Sequence, residues 1–315
     1  MRTYVLRRIV QGVAVLFVVS AAIFVIVHAA PGGPALLNQP DMDPNVAKEM
    51  RQALGLDDPL PVQYARWLRN ALAGHFGKSY QHSVATADLL AARIPNTLLL
   101  SGTALVLAVA LAVPLGTISA VYRYSWLDYV ATFVAFVGVS IPVFWLGILL
   151  IIVFSVTLGW LPSAGMVTIG TTFSLRDLLA HLVMPAVVLA TFPLAQLTRY
   201  VRASMVDALA QDYIRTARAK GLPELTLLGR HALRNALIPM LTVLGVLTPR
   251  LLGGAVITET IFAWPGLGRL AVDAAVTRDY PVIMGVTLLV SAFVVVSNLV
   301  TDLLYGVVDP RITLE

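Results

Sequence analysis

Apolar positions in this chain fall into long unbroken blocks. The first, Ile9 to Ala30, carries no formal charge and is long enough to cross a bilayer core, which takes about 20 residues of helix. Further blocks run from about Thr97 to Val121, from near Tyr129 to about Leu158, and from about Leu182 to Leu197. Two more run from about Ile238 to Phe262 and from about Val282 to Leu304. Ser140-Ile141-Pro142 interrupts the third block and predicts a tilt or kink near Pro142. The fourth is shorter and holds Pro185 and Pro193. Barrel strands would alternate over roughly ten residues instead. The pattern therefore predicts an all-α polytopic membrane protein with about six transmembrane helices.

Composition agrees. Apolar residues make up 58% of the chain and charged ones 12%, against roughly a quarter charged in soluble domains. A soluble enzyme, a disordered chain and a fibre are excluded. The absence of cysteine removes disulfides, thiol nucleophiles and cysteine-ligated metal. The net charge of +5 bears on orientation rather than on nucleic acid.

Arg2, Arg7 and Arg8 precede the first block, and no charge follows it until Asp41. This asymmetry predicts a cytoplasmic N-terminus and, with six spans, a cytoplasmic C-terminus. The block exceeds the 7–15 apolar residues of a cleaved signal and is read as a retained span. The segment between the fourth and fifth blocks then also faces the cytoplasm, with Arg199, Arg202, Arg215, Arg218, Lys220, Arg230 and Arg234. Residues 31–96 fall outside. The expected organisation is a tip and first span over 1–30, an extracytoplasmic helical segment over 31–96, and a core with five spans over 97–315.

Within 31–96, Asp43-Pro44 and Gly55 bracket a predicted helix near 44–54. Pro61 and Gly74 bracket a second, with Tyr64, Trp67, Leu68, Ala71 and Leu72 on one face. A third short helix near 86–93 is expected to lie in the interface and lead through Pro95 into the second span. A segment of this length points to contact with a partner rather than passive connection.

The inner segment 205–237 is the most informative. Met205, Leu209, Tyr213 and Ala217 recur every four residues, and Asp207, Gln211, Arg215 and Arg218 occupy another face, as in an amphipathic helix. Lys220 in the last turn, Gly221 at a left-handed stop and Pro223 beyond it end that helix. Pro223 can then open a second helix through Leu227, Leu228, Ala232 and Leu233. Small and basic side chains at the bend fit an acidic partner or the anionic leaflet.

Arg215-Thr216-Ala217-Arg218-Ala219-Lys220-Gly221-Leu222, with Arg230 to Pro239, resembles the EAA loop of ABC-transporter permeases in its dipeptide/oligopeptide (and nickel) import form. Other stretches match in order. They are Phe76-Gly77-Lys78-Ser79, Ile94-Pro95-Asn96-Thr97, Ser140 to Gly147, Gly159-Trp160-Leu161-Pro162, Leu252 to Val256, Glu259 to Gly268 and Asp309-Pro310-Arg311. Two departures stand out. Arg215 occupies the place of the motif's glutamate, with Thr216 for its first alanine, and the gap from Gly221 to Pro239 is longer than in sugar-type permeases.

The resemblance implies a pore subunit in the bacterial plasma (inner) membrane, paired with a second similar permease. Two ATPase domains, separate or fused, would dock on the Gly221 bend and bind ATP and Mg. An extracytoplasmic binding protein would deliver the peptide. The chain has no GxxxxGK[ST] loop of its own, so it is read as a translocation subunit and not an enzyme. The alternative is a stand-alone secondary transporter or channel, which inverted repeats or several buried acids would favour.

Arg250, after Pro249 inside the fifth block, costs roughly 2.5–3.5 kcal/mol at a span centre and so faces protein or a wet cavity. It fits either a path residue or a subunit-interface partner, and Glu259 near the outer end is read the same way, nearer water. Trp264-Pro265-Gly266-Leu267-Gly268 combines an aromatic with turn formers. It is expected to form a compact tip that meets the binding protein or seals the outer mouth, or else an anchor in the headgroups. The five histidines, His28, His75, His82, His181 and His231, lack metal-ligand spacing, and no catalytic set or metal site is expected.

Overall fold

The computed structural model describes residues 2–30, 33–34, 43–53 and 55–308. Asp309-Pro310-Arg311 and Leu54 lie outside the described residues. Among those described, one isolated bridge, Lys78 to Ala85, is the only extended pairing. The helices are α1 (Arg2–Ala29), α2 (Pro44–Ala53), α3 (Leu60–Leu72), α4 (Thr86–Val121), α5 (Trp126–Ser140) and α6 (Val143–Leu150). After π-helical turns at Ile151–Thr157 come α7 (Leu175–Leu209), α8 (Asp212–Ala219) and the single turn α9 (Glu224–Thr226). A second π-helical stretch, Leu227–Leu233, leads into α10 (Arg234–Ile261), α11 (Leu267–Thr277) and α12 (Tyr280–Val308).

Four helices are long and apolar enough to cross a membrane: Tyr4–Ala29, Thr86–Val121, Leu175–Leu209 and Tyr280–Leu303. Two bent pairs pass the same test together, Trp126–Ser140 with Val143–Thr157 at 104° and Glu224–Leu237 with Thr242–Leu251 at 62°. Counted as one span each, they bring the number to six.

Several boundaries differ from the sequence reading. The third block breaks where the sequence predicts, at Ser140-Ile141-Pro142, and bends there through 104°. Ile141 sits before Pro142 and adopts an extended conformation, φ −81 and ψ 126, because the proline ring clashes with a helical predecessor. No separate helix spans 86–93, since α4 runs unbroken through Pro95. Packing of Leu89, Leu90 and Ile94 into a core offsets the hydrogen bond that Pro95 removes. The fourth block extends to 35 residues with Pro185 and Pro193 inside it.

The chain divides into two compact units. One joins residues up to Thr97 with Pro265–Val296. Its core gathers Leu90, Leu267, Leu270, Ala274, Val282 and Val286. Phe24 of α1 meets Tyr64 and Trp67 of α3, ring centroids 5.3 and 6.4 Å away, while Ser20 Oγ lies 2.8 Å from the Tyr64 hydroxyl. Ala71 is buried as expected, but Leu72 is 82% exposed and does not belong to that face. Asp43 Oδ1 accepts from Asn45 N at 2.8 Å at the start of α2.

The other unit holds Leu98–Trp264 with the described residues from Ser297 on. Leu100, Ala104, Ala108 and Ala112 form a fully buried stripe, four residues apart on α4. They share a core with Leu197, Val201 and Met205 of α7 and Leu247 and Ala255 of α10. Small side chains let helix backbones approach, which is how helices associate where lipid supplies no hydrophobic drive. Gly116 marks one such approach: a Cβ there would stand 2.7 Å from Val201 Cβ and 2.8 Å from Thr198 O.

Candidate functional site

The Gly221 bend has the geometry its sequence predicts. Gly221 adopts φ +74, the left-handed region that glycine enters without steric cost. Its N–H donates to Arg218 O at 3.0 Å, and Leu222 N–H donates to Ala217 O at 3.4 Å. Those two bonds are the Schellman pair, satisfying carbonyls that the end of α8 leaves free. Arg218 Nη2 bridges the bend to Glu224 Oε1 at 2.9 Å, an exposed pair worth little by itself. Pro223 is the residue before α9 rather than its first, with φ −58 and ψ 139.

The amphipathic helix expected through 205–219 is two helices. α7 ends at Leu209, and Gln211, with ψ 151, resets the chain for α8. The four-residue line is therefore lost. Met205, Ala208, Ile214 and Ala217 are buried, and Tyr213 is exposed. Ile214 and Ala217 anchor α8 in the core, leaving Arg215, Thr216, Arg218, Ala219 and Lys220 on the outer surface. Arg215, where the motif has a glutamate, lies 3.6 Å from Asp212 and is highly exposed.

Seven residues before α7 ends, Arg202 forms a fork on Asp128, Nε to Oδ1 and Nη2 to Oδ2, both at 2.7 Å. Ser119 Oγ donates to Oδ1 at 2.5 Å, and Tyr124 N–H donates to Oδ2 at 3.0 Å. This clamp ties α4, α5 and α7 at the ends nearest the bend. The sequence reading missed it. Only the Ser125-x-x-Asp128 pattern hinted at it, as a capping signal, with Asp128 N–H donating to Ser125 Oγ at 3.4 Å.

Arg250 is exposed and has no hydrogen-bond or ion-pair partner among the described residues. It lines a cavity of about 210 Å³ with Val143, Leu189, Phe192 and Pro193. Glu259 is fully buried, not nearer water as expected, because α10 turns it into the interior beside Thr258. Trp264 is likewise fully buried, and Leu267 and Gly268 are buried too, so 264–268 is neither an exposed tip nor a headgroup anchor. Trp264 N–H donates to Glu259 O at 2.8 Å. Among the described residues no group of three or more His, Asp or Glu could hold a metal.

Comparison with known proteins agrees with this architecture. A family described as "Binding-protein-dependent transport system inner membrane component" matches residues 112–314, and its N-terminal companion matches residues 1–101. The oligopeptide transport system permease protein AppB of Bacillus subtilis is 47% identical over 99% of both chains. The glutathione transport system permease protein GsiC of Escherichia coli is 43% identical, again over 99% of both. An inward-facing structure of the MetNI methionine ABC transporter shares the fold, with TM-score 0.56 and 18% identity over 70% of this chain and 96% of that one. The chain belongs to this family of inner-membrane permease subunits of ABC importers, in the peptide group that its motifs resemble.

Proposed function

We propose that the chain is the pore-forming subunit of an ATP-driven importer that carries short peptides, or related small solutes, into the cytoplasm by alternating access. The observation that carries this reading is the bend itself, where a backbone-closed turn holds Arg215, Arg218 and Lys220 outward while Ile214 and Ala217 root it in the core. The names of the relatives, an oligopeptide and a glutathione permease, support the cargo class.

In this reading both termini are cytoplasmic, residues 31–96 lie outside, and residues 97–315 with a second homologous permease line the path. Two ATPase domains, fused or separate, receive the segment Arg215 to Leu222 in a groove and bind ATP and Mg. ATP favours one arrangement of the paired permeases and product release the other. The Asp128–Arg202 clamp passes movement of the bend into α4 and α5 as a rigid body, since its fork resists rotation. An extracytoplasmic binding protein delivers cargo. Arg250, unpaired among the described residues in its apolar cavity, meets a cargo carboxylate or the sister subunit, and buried Trp264 with Glu259 contributes to the seal at the outer mouth.

Gly221→Pro tests the docking. Proline fixes φ near −65° against +74 here. The variant should assemble its spans yet lose cargo-stimulated ATP hydrolysis and transport in proteoliposomes. Normal rates for both would sink the docking reading. Arg250→Ala separates its two roles: transport falls roughly tenfold or more with normal assembly if it meets cargo, and assembly falls instead if it meets the sister subunit.

A further inference from the structure

α4 and α5 are joined by four residues, Tyr122 to Ser125. Tyr124 adopts φ +63 there, a left-handed conformation that is costly for a residue with a Cβ. Its N–H is held by Asp128 Oδ2 at 3.0 Å, and Ser125 Oγ accepts from Asp128 N–H at the start of α5. The Asp128–Arg202 clamp thus fixes the turn as well as the helices. The result is a crown of rings: Tyr122, Tyr124, Trp126 and Tyr129 are between 55% and 71% exposed. Arg123 lies over the Tyr124 ring, its Cζ 4.5 Å from the centroid.

Charge is scarce in this part of the chain. Between Ile94 and Leu175 the sequence holds two charged residues, Arg123 and Asp128. Asp128 is buried and forked by Arg202. The Arg123 side chain is exposed and has no ion pair or hydrogen bond among the described residues. Its charge is therefore the one the turn presents outward.

What covers the crown follows from where it stands. α4 is long and apolar enough to span a membrane, and α5 is the first arm of a bent pair counted as one span. A turn of four residues reaches at most about 7 Å beyond the helix ends, half its extended length. The headgroup layer is about 5–8 Å thick on each side of a bilayer, so the turn stays within it. The rings continue down α5 as an exposed stripe at helical spacing, Trp126, Tyr129, Phe133 and Phe136. That stripe runs along a different side of α5 from buried Asp128 and Ala135. Rings with polar tips settle at headgroup depth, and a cation beside them attracts anionic lipid.

We infer that the Tyr122–Tyr129 turn is a binding site for an anionic phospholipid, with Arg123 on the headgroup phosphate and the rings flanking it. The inference requires only that the chain spans a bilayer, and it holds whichever side of the membrane the turn faces. Every residue it uses belongs to one compact unit.

The test uses the assembled importer in phosphatidylcholine nanodiscs that contain a low fraction of brominated lipid. The emission of Trp126 is isolated as the difference between wild type and Trp126→Phe. Brominated phosphatidylglycerol should quench it roughly fivefold more efficiently than brominated phosphatidylcholine at the same fraction, the enrichment expected from one arginine near an anionic headgroup. Added salt should erode the difference. Arg123→Gln should bring the two lipids to equal efficiency while Trp126 stays within their reach, and Arg123→Lys should keep most of the preference. Both residues are exposed and lie outside the clamp, so the variants should fold and assemble as wild type does. Equal quenching by the two lipids in wild type, or a preference that survives Arg123→Gln, overturns the inference. It falls equally if neither lipid quenches Trp126 and a photo-crosslinker in place of Tyr124 captures an ATPase domain or the sister permease, because the crown is then a protein interface. None of these outcomes bears on the importer reading, which Gly221→Pro tests.

Discussion

Asp128 and Asp279 are both buried, 3% and 1% exposed, yet their surroundings differ. Asp128 has both oxygens filled by Arg202, Ser119 and the Tyr124 amide. Asp279 has one filled by neutral donors and one without a partner among the described residues. A carboxylate whose donors all come from its own chain holds helices together. One whose donors are neutral fastens a loop to a helix junction. Burial alone does not tell how a carboxylate is held; the accounting of each oxygen does.

The comparison breaks most visibly at Asp128. Asp128→Asn leaves Arg202 without its counter-charge. Removing one partner of a fully buried pair costs roughly 3–5 kcal/mol, and here about 2 kcal/mol is expected because the Arg202 side chain is 30% exposed. Thermal unfolding of the detergent-solubilised complex checks it, and an unchanged melting temperature would remove the clamp from the account. A loss confined to high pH is expected around Asp279. Burial, with the nearby Asp279 and Tyr280, pushes the Tyr80 phenol up to about 12. Below pH 10 the phenol is neutral in both folded and unfolded chains, so nothing is lost. As pH rises toward 12 the unfolded chain ionises first, and stability falls. Tyr80→Phe should remove that slope in a pH series of melting curves. The smallest change in stability belongs to Asp279→Asn, about 1 kcal/mol, since both contacts it makes survive while the new N–H₂ is buried in the place of Oδ1 without an acceptor. A large loss there would recast Asp279 as a second clamp.

The blocks of apolar residues made the spans legible, and Lys220, Gly221 and Pro223 made the bend legible, because both signals are local. Gly55 and Asp43 announced α2 for the same reason. What the sequence concealed is long-range. Asp128 and Arg202 are 74 positions apart, and nothing near either announces the other. Asp279 and Ser79 are 200 apart. The burial of Glu259 and Trp264 is set by what α10 packs against, and an apolar block reads the same whether it faces lipid or protein. The 104° turn at Pro142 was visible only as a proline; its angle depends on neighbours. The break at Gln211 escaped because Leu209, Tyr213 and Ala217 keep a helical interval across it.

The closure of the bend at Gly221 separates shape from address. Its turn is fixed by two main-chain hydrogen bonds and one left-handed glycine, none of which depends on the side chains at 215, 216, 218, 219 or 220. The surface can therefore be rewritten while the turn stays the same, as the arginine standing where the motif has glutamate already illustrates. If ATPase domains dock on this bend as proposed, one scaffold can serve a series of mutually exclusive motor pairings, and swapping the outward residues of α8 together with complementary ones on an ATPase should yield orthogonal transporters that share a membrane without cross-talk.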